Sequence, residues 1–159
     1  MDNVLHMIGM ANRAGHLEVG EEPVGAACRA KDCRLILIAR DAADNSFRRV
    51  SHFADAGQCL WVSVPYTKEE LGNAAGRGVC AMAAVTEIGM ASAIAKLLAQ
   101  QDREKYSITA EKLELKAQRA MRRRQEQQAH EKNLRNQGKK KKPYVPTRIK
   151  RAQKEQQQK

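Results

Sequence analysis

The chain has 159 residues, of which 42% are apolar and 30% charged, and its formal net charge at neutral pH is +11. This length suits one domain, or one domain with an extension. No apolar run reaches the length of about 20 residues that a transmembrane helix needs. The first residues lack the basic region and apolar segment of a signal peptide. We therefore expect a cytoplasmic protein that does not bind membranes.

The positive charge is confined to the C-terminal part of the chain. Residues 1–100 contain 10 Lys and Arg against 11 Asp and Glu, whereas residues 101–159 contain 19 against 7. A positive segment suits a partner with dense phosphate charge, because neutralised phosphates release their counterions. An anionic membrane would attract it too, but its larger apolar residues are too sparse to form an inserting face. These residues are Leu113, Leu115, Met121 and Leu134.

The first quarter of the chain has the pattern of two helices. Apolar residues at helical spacing predict a helix over about residues 2–14, which Gly15 ends. The segment 20–23, Gly-Glu-Glu-Pro, then predicts the start of a second helix that extends to about Ala30. Acidic residues and proline both favour a first helical turn.

A strand, a helix and a second strand follow. The apolar run 35–39 predicts a strand buried on both faces. Residues 41–45 have the composition of a turn and cap before a third helix that ends near Gly57. Residues 60–64 predict a second buried strand, in which we expect Trp61 to pack in the core.

The last part of the domain predicts a helix, a strand and a helix. Thr67 with Glu70 forms a capping box for a short helix that ends near Gly76. Residues 79–86 predict a third strand, and residues 88–98 an amphipathic helix. Helices that alternate with buried strands predict an α/β fold, a three-layer α/β/α sandwich with a small mixed sheet.

The composition changes after residue 100, so we assign residues 1–100 to the domain and 101–159 to a basic tail. Good helix formers without a continuous apolar stripe fill residues 107–137, which favours a helix in part or on binding. From Gly138 onward the composition is typical of disorder.

The residues that most often carry chemistry form no recognisable grouping. Cys28, Cys33, Cys59 and Cys80 include no CxxC pair and have no histidine at zinc-ligand spacing. We therefore interpret them as buried reduced thiols, without a metal or a disulfide. The histidines are scattered, so we expect no catalytic residues and no enzyme.

Residues 76–81 satisfy the loose glycine pattern of a dinucleotide site. That pattern must follow a strand and open a helix, whereas this segment follows a helix and enters a strand. We therefore expect no cofactor and no small-molecule substrate.

Four blocks of the domain resemble one family in sequence and spacing. They read MIGMANRAGHLEVGEEPV, RLILIARDA, SVPYTKEELGNAAGRG and VCAMAAVTEIGMA. The chain is thereby similar to the kink-turn RNA-binding ribosomal superfamily that includes the archaeal large-subunit proteins seven-Ae and thirty-e, and especially to its small bacterial members. The resemblance covers nearly all of residues 1–100.

The resemblance implies an RNA site built from three segments. They are the start of the second helix (Gly20, Glu21, Glu22), the turn after the first buried strand (Arg40, Asp41, Ala42) and the loop before the last strand (Arg77, Gly78, Val79, Cys80, Ala81). In the family, the last loop closes over an unstacked base. Helix N–H groups suit phosphate oxygens, and a carboxylate accepts from the Watson–Crick edge of guanine.

The chain departs from the family at the second helix. Members that bind kink-turns tightly carry Asn, Glu and, three residues after the Glu, Lys, whereas this chain has Glu22, Pro23 and Ala26. The Asn donor and the Lys charge are therefore absent. Some members of the same fold bind proteins instead, and this alternative, a protein-interaction module whose tail binds RNA non-specifically, stays open.

Each site residue also has a purely structural interpretation. Glu21 and Glu22 either cap the helix dipole or contact RNA. Arg77 is either a solvated loop residue or a phosphate contact, and Asp41 is more typical of a turn or cap. In the tail we favour phosphate binding over a solubilising role for the arginines and lysines. These are Arg122, Arg123, Arg124, Lys139, Lys140, Lys141 and Lys142.

The sequence thus predicts a non-catalytic protein that binds structured RNA, ribosomal or otherwise linked to translation. The domain would recognise the shape of the RNA, and the tail would add affinity that is independent of sequence. We expect a monomer when RNA is absent.

Overall fold

The computed structural model describes residues 2–139, apart from the side chain of Lys139. Helices and strands alternate along this part of the chain. In chain order they are α1 (Asn3–Arg13), β1 (Leu17–Val19), α2 (Glu21–Arg29), β2 (Leu35–Ala39), α3 (Asp44–Gly57), β3 (Leu60–Val64), α4 (Lys68–Ala74), β4 (Met82–Val85), α5 (Ile88–Gln101) and α6 (Arg103–Lys139).

The strands form one mixed sheet in the order β1-β4-β2-β3. β4 is antiparallel to both of its neighbours, and β2 is parallel to β3. Alternate residues of β2 enter two separate cores: Leu35 and Leu37 face α1, α4, α5 and the start of α6, whereas Ile36 and Ile38 face α2 and α3. The predicted three-layer α/β/α sandwich is therefore confirmed.

The shortest strand, β1, was absent from the sequence prediction. Leu17 and Val19 are buried and Glu18 between them is exposed. Three residues are too few to establish an alternating pattern, since strands are recognised over runs of four to eight residues. Pairing with β4 is what makes this segment a strand.

The last strand is shorter than predicted. It spans Met82–Val85 rather than residues 79–86. Residues 79–81 belong to the preceding loop, in which the Val79 side chain is 62% exposed. The apolar run therefore continues beyond the strand, which leaves an aliphatic side chain on the surface.

Trp61 was predicted to pack in the core, but its side chain is 39% exposed. It lies in β3, which is an edge strand of the sheet. Its ring meets Phe47 of α3 edge-on, with the ring centroids 6.4 Å apart. Position at the sheet edge, which sequence patterns do not reveal, explains the exposure.

The first turns of α6 are part of the core. Tyr106, Ala110 and Leu113 are buried, and the Tyr106 hydroxyl donates a hydrogen bond to the Ser63 carbonyl of β3. Of the four sparse apolar residues that the sequence analysis named in the tail, Leu113 thus packs in the core, whereas Leu115, Met121 and Leu134 are exposed. The first compact unit ends at Ala120, while the assignment of residues 1–100 to the RNA-binding domain stays a prediction.

Replacing Leu113 by alanine should lower the free energy of unfolding by about 2–4 kcal/mol, because the change leaves a cavity in a closed core. Leu115 lies two residues further along the same helix and is 48% exposed. Its replacement by alanine should change stability by no more than about 0.5 kcal/mol. Denaturant unfolding of both variants measures the difference, and equal effects would contradict the docking of α6 on the core.

From Met121 to Gly138 every side chain of α6 is exposed. Gly138 and Lys139, which we expected to begin a disordered region, still lie within the helix. The rest of that prediction, residues 140–159, lies outside the described residues. No helix between residues 2 and 139 is long and apolar enough to cross a membrane.

Candidate nucleic-acid interface

The three segments expected to contact RNA converge at one end of the sheet. Because β4 is antiparallel to β1 and β2, the start of β4 lies beside the ends of both. The Gly20 N–H donates to the Met82 carbonyl at 3.1 Å, and the Ala39 N–H donates to the Ala81 carbonyl at 2.8 Å. Segments 20–22, 40–42 and 77–81 therefore border one surface, which we call the sheet-end surface.

The start of α4 fixes two of these segments to each other. The Asp41 carboxylate accepts a hydrogen bond from the Lys68 N–H at 2.8 Å. The Lys68 carbonyl accepts one from the Cys80 N–H at 2.9 Å. Asp41 was predicted to lie in a turn and cap before α3, but its carboxylate instead binds the first N–H of α4, and this contact holds the 40–42 turn in place.

The start of α2 offers backbone N–H groups to an anion. Gly20 is its N-cap and makes no side-chain cap bond, and its backbone, with φ 101° and ψ 163°, has a conformation open almost only to glycine. The first N–H groups of a helix have no partner inside the helix, and its N-terminus carries partial positive charge. This end of α2 is suited to a phosphate oxygen.

The two glutamates of α2 have different surroundings. Glu21 forms an ion pair with Arg49 of α3. Such a pair between exposed side chains contributes only about 0–1 kcal/mol to stability, but it occupies the Glu21 carboxylate. Glu22 is exposed. Glu22 is therefore the better candidate for accepting hydrogen bonds from a base.

Three further side chains of the sheet-end surface are exposed, namely Arg40, Arg77 and Val79. The guanidinium groups suit phosphates, and the aliphatic Val79 suits the face of an unstacked base. The Cys80 side chain is buried, and its thiol donates a hydrogen bond to the Met82 carbonyl. Burial raises the pKa of Cys80. Cys80 therefore presents no side chain to the sheet-end surface.

Gly72 of α4 was missed as a residue that shapes this surface. A β-carbon at Gly72 would lie 2.8 Å from the Gly78 carbonyl oxygen and 2.8 Å from the Val79 backbone. The loop before β4 therefore rests directly on the helix. A glycine inside a helical pattern is the signal that was available, since it costs about 1 kcal/mol relative to alanine and a packing contact can explain it.

Replacing Gly72 by alanine should displace residues 78–79 and lower stability by about 1–3 kcal/mol, as overpacking usually does. A β-carbon at Gly78, by contrast, would meet no neighbouring atom within 4 Å. Replacing Gly78 by alanine should therefore leave stability nearly unchanged. Thermal unfolding of the two variants provides the comparison, and a stable Gly72→Ala protein with an unmoved loop would refute this packing.

The basic residues of the tail have only partly described positions. Arg122, Arg123 and Arg124 are consecutive and exposed on α6. Lys139 is the last residue of α6, and its side chain is outside the described part of the chain. Lys140, Lys141 and Lys142 also lie outside it.

Known proteins resemble this chain in sequence and in fold. No family model matches the chain. The RNA-binding protein YlxQ of Bacillus subtilis is 32% identical over 96 residues, which are 58% of this chain and 91% of that protein. A solved protein of unknown function from Bacillus halodurans matches with a TM-score of 0.57 at 24% identity. The match covers 62% of this chain and 98% of that protein's chain. A Giardia lamblia 15.5kD RNA-binding protein has a TM-score of 0.48 at 17% identity, over 60% of this chain and 82% of its own.

Proposed function

We propose that this chain, which belongs to the kink-turn RNA-binding superfamily of the seven-Ae and thirty-e ribosomal proteins, binds structured RNA through the sheet-end surface. The observation that carries the proposal is the convergence of segments 20–22, 40–42 and 77–81, joined through the backbone of Lys68 and the start of β4. The similarity to YlxQ, which is named an RNA-binding protein, supports it.

Each part of the surface would make a different kind of contact. The N-terminal end of α2 and the guanidinium groups of Arg40 and Arg77 would hold phosphates. Glu22 would accept from a guanine edge, and Val79 would pack against a base that has left the stack. These contacts recognise the shape of the RNA and require no catalytic group.

The exposed basic residues of α6 would add affinity that does not depend on sequence. Phosphate contacts of this kind supply most non-specific binding and make it fall with salt. We therefore propose that the sheet-end surface selects the RNA and that the tail strengthens binding to any RNA. Ribosomal RNA, or another RNA linked to translation, is the proposed target.

The test compares a kink-turn RNA with a straight duplex of equal length at about 0.1 M salt, where counterion release still favours binding. The full-length protein should bind both RNAs and should prefer the kink-turn. Arg77→Gln should weaken kink-turn binding and lower the salt slope by about one. Arg29→Gln removes the same charge from the other end of α2 and should leave the preference intact.

Two results would count against the proposal. Absence of any RNA affinity would refute RNA binding itself. Equal affinity for the kink-turn and the duplex would instead favour the alternative, a protein-interaction module whose tail attracts RNA. That alternative is motivated by Glu22 and Ala26, which stand where tight kink-turn binders carry Asn and Lys, and by the ion pair that occupies Glu21.

A further inference from the structure

Three of the four cysteines meet in space although they are far apart in sequence. Cys28 lies in α2, Cys33 in the connection to β2, and Cys59 in the connection from α3 to β3. Their Sγ atoms all lie within 4.8 Å of one another. Cys28 and Cys33 are buried, as predicted, but Cys59 is only partly buried. Spacing along the chain, which argued against a metal, gave no sign of this cluster.

Two turns with unusual backbone conformations bring the cysteines together. Lys31 and Gln58 have φ values of 61° and 53°, in the left-handed region that side-chain-bearing residues seldom adopt. The Lys31 turn leads the chain from Cys28 back to Cys33, and the Gln58 turn ends α3 directly before Cys59. Both turns border the cluster.

The two turns are also held against each other. The Lys31 ammonium donates a hydrogen bond to the Ala56 carbonyl at 3.3 Å. Gly57 allows α3 to approach closely, because a β-carbon there would lie 3.2 Å from the α-carbon of Cys28. The three thiols are therefore supported by backbone that is fixed from two sides, as a binding site requires.

The surroundings of the cluster favour negative charge on one of its three sulfur atoms, that of Cys59, whereas the pKa values of Cys28 and Cys33 are raised. Hydrogen bonding from Cys33 is the main cause that lowers the pKa of Cys59 to about 7, against the effect of burial, and the positive charges of Lys116 and Arg34 lower it further. Burial raises the pKa of Cys28 to about 11. Cysteines that merely fill an apolar core have no need of two neighbouring cations.

We propose that Cys28, Cys33 and Cys59 form a binding site for a thiophilic d10 cation, either zinc(II) or copper(I). Zinc–sulfur bonds of about 2.3 Å place tetrahedral sulfur ligands about 3.8 Å apart. The three Sγ atoms, which lie at most 4.8 Å apart, would therefore need to move only slightly closer to one another to bind the metal. Thiolate ligands select these metals over hard cations.

Metal binding by the three thiols requires no redox step, and its protons and charges can be counted. Three thiols release three protons to solvent, and three metal–sulfur bonds form. The complex then carries one net negative charge with zinc(II) and two with copper(I). Lys116 and Arg34 would offset this charge. Because Cys59 is partly exposed, a metal can enter beside it, and a water molecule can complete a tetrahedral zinc site.

The test uses the full-length, reduced protein, titrated separately with zinc(II) and copper(I) against a chromophoric competitor for each metal. One equivalent of at least one metal should bind. Loss of a supporting residue around a metal costs about 10–100-fold in affinity, so Cys59→Ser, which removes a ligand, should cost at least about tenfold. Cys80→Ser changes the cysteine outside the cluster and should leave metal affinity unchanged.

A second measurement does not depend on any variant. X-ray absorption at the metal edge of the loaded wild-type protein should show three sulfur ligands at about 2.3 Å. Absence of one-to-one binding for both metals, undiminished affinity in a folded Cys59→Ser protein, or a ligand shell without sulfur would each overturn the proposal. The two metal titrations decide which of the two cations the site prefers.

Discussion

Replacing Gly20 by glutamate is expected to abolish the preference for a kink-turn over a straight duplex. The backbone of Gly20, with φ 101° and ψ 163°, is strained for any residue with a side chain, at a cost of about 1–3 kcal/mol. The substitution also places a carboxylate beside the helix end that would hold a phosphate, and like charges repel. Binding of both RNAs to the variant, measured at one salt concentration, gives the result.

The matched control is Gly15→Glu. Gly15 also has a positive φ, of 78°, but it precedes β1, whereas Gly20 follows it. Both variants carry the same added charge, and each should lose about 1–3 kcal/mol of stability. The Gly15 variant should keep the preference for the kink-turn. A Gly20→Glu protein that is folded and still prefers the kink-turn would exclude the start of α2 from the RNA interface.

Removing residues 121–159 is expected to weaken binding to every RNA and to flatten the salt dependence. Those residues contain 14 Lys and Arg against 3 Asp and Glu, a net charge of +11, whereas residues 1–120 contain 15 of each sign. A protein that contacts six to ten phosphates loses about 10³–10⁵ in affinity between 50 and 200 mM salt. The truncated chain should therefore bind at least about 100-fold more weakly near 0.1 M salt, with a much smaller slope.

The position of the cut matters, because the compact unit extends to Ala120. A chain that ends after residue 120 keeps Tyr106, Ala110 and Leu113 in the core and should unfold at nearly the same temperature as the full chain. A chain cut after residue 102 loses these buried residues, so its loss of RNA binding would not be informative. Replacement of Arg122, Arg123 and Arg124 by Gln in the full chain should have a smaller effect than truncation. It should lower the slope of log affinity against log salt concentration by about two.

The affinities of the truncated chain for the kink-turn and for the duplex distinguish the role of the domain in selecting RNA from the role of the tail in strengthening binding. If the 1–120 chain keeps its preference for the kink-turn while its affinity falls, selection lies in the domain and strength in the tail. If the slope is unchanged by truncation, the tail makes no phosphate contacts and that part of the proposal fails.

Local patterns predicted those elements whose cause is local. The capping box of Thr67 and Glu70 was predicted and observed, because it depends on residues three apart in one turn. The buried run 35–39 was predicted as a strand for the same reason, and it is one. By contrast, β1 and the exposure of Trp61 depend on which strand lies next to which, and no local pattern contains that.

In the candidate RNA site, too, some features could be predicted from the sequence and others depend on tertiary packing. The resemblance to the family pointed to residues 20–22, 40–42 and 77–81 in advance. It did not indicate that Glu21 pairs with Arg49, or that Gly72 supports the loop before β4. These contacts join different elements, so they follow from packing and not from spacing along the chain.

By itself, the sequence determined the α/β character, the family resemblance and the concentration of positive charge after the domain, because these follow from composition, periodicity and short motifs. Only the tertiary structure decided that the charge-neutral unit continues to Ala120, since the burial of Tyr106 and Leu113 requires a core formed by other elements. It also decided that Cys28, Cys33 and Cys59 meet, because two left-handed turns bring together residues that are 31 positions apart at most. Proximity of that kind is a property of the folded chain alone.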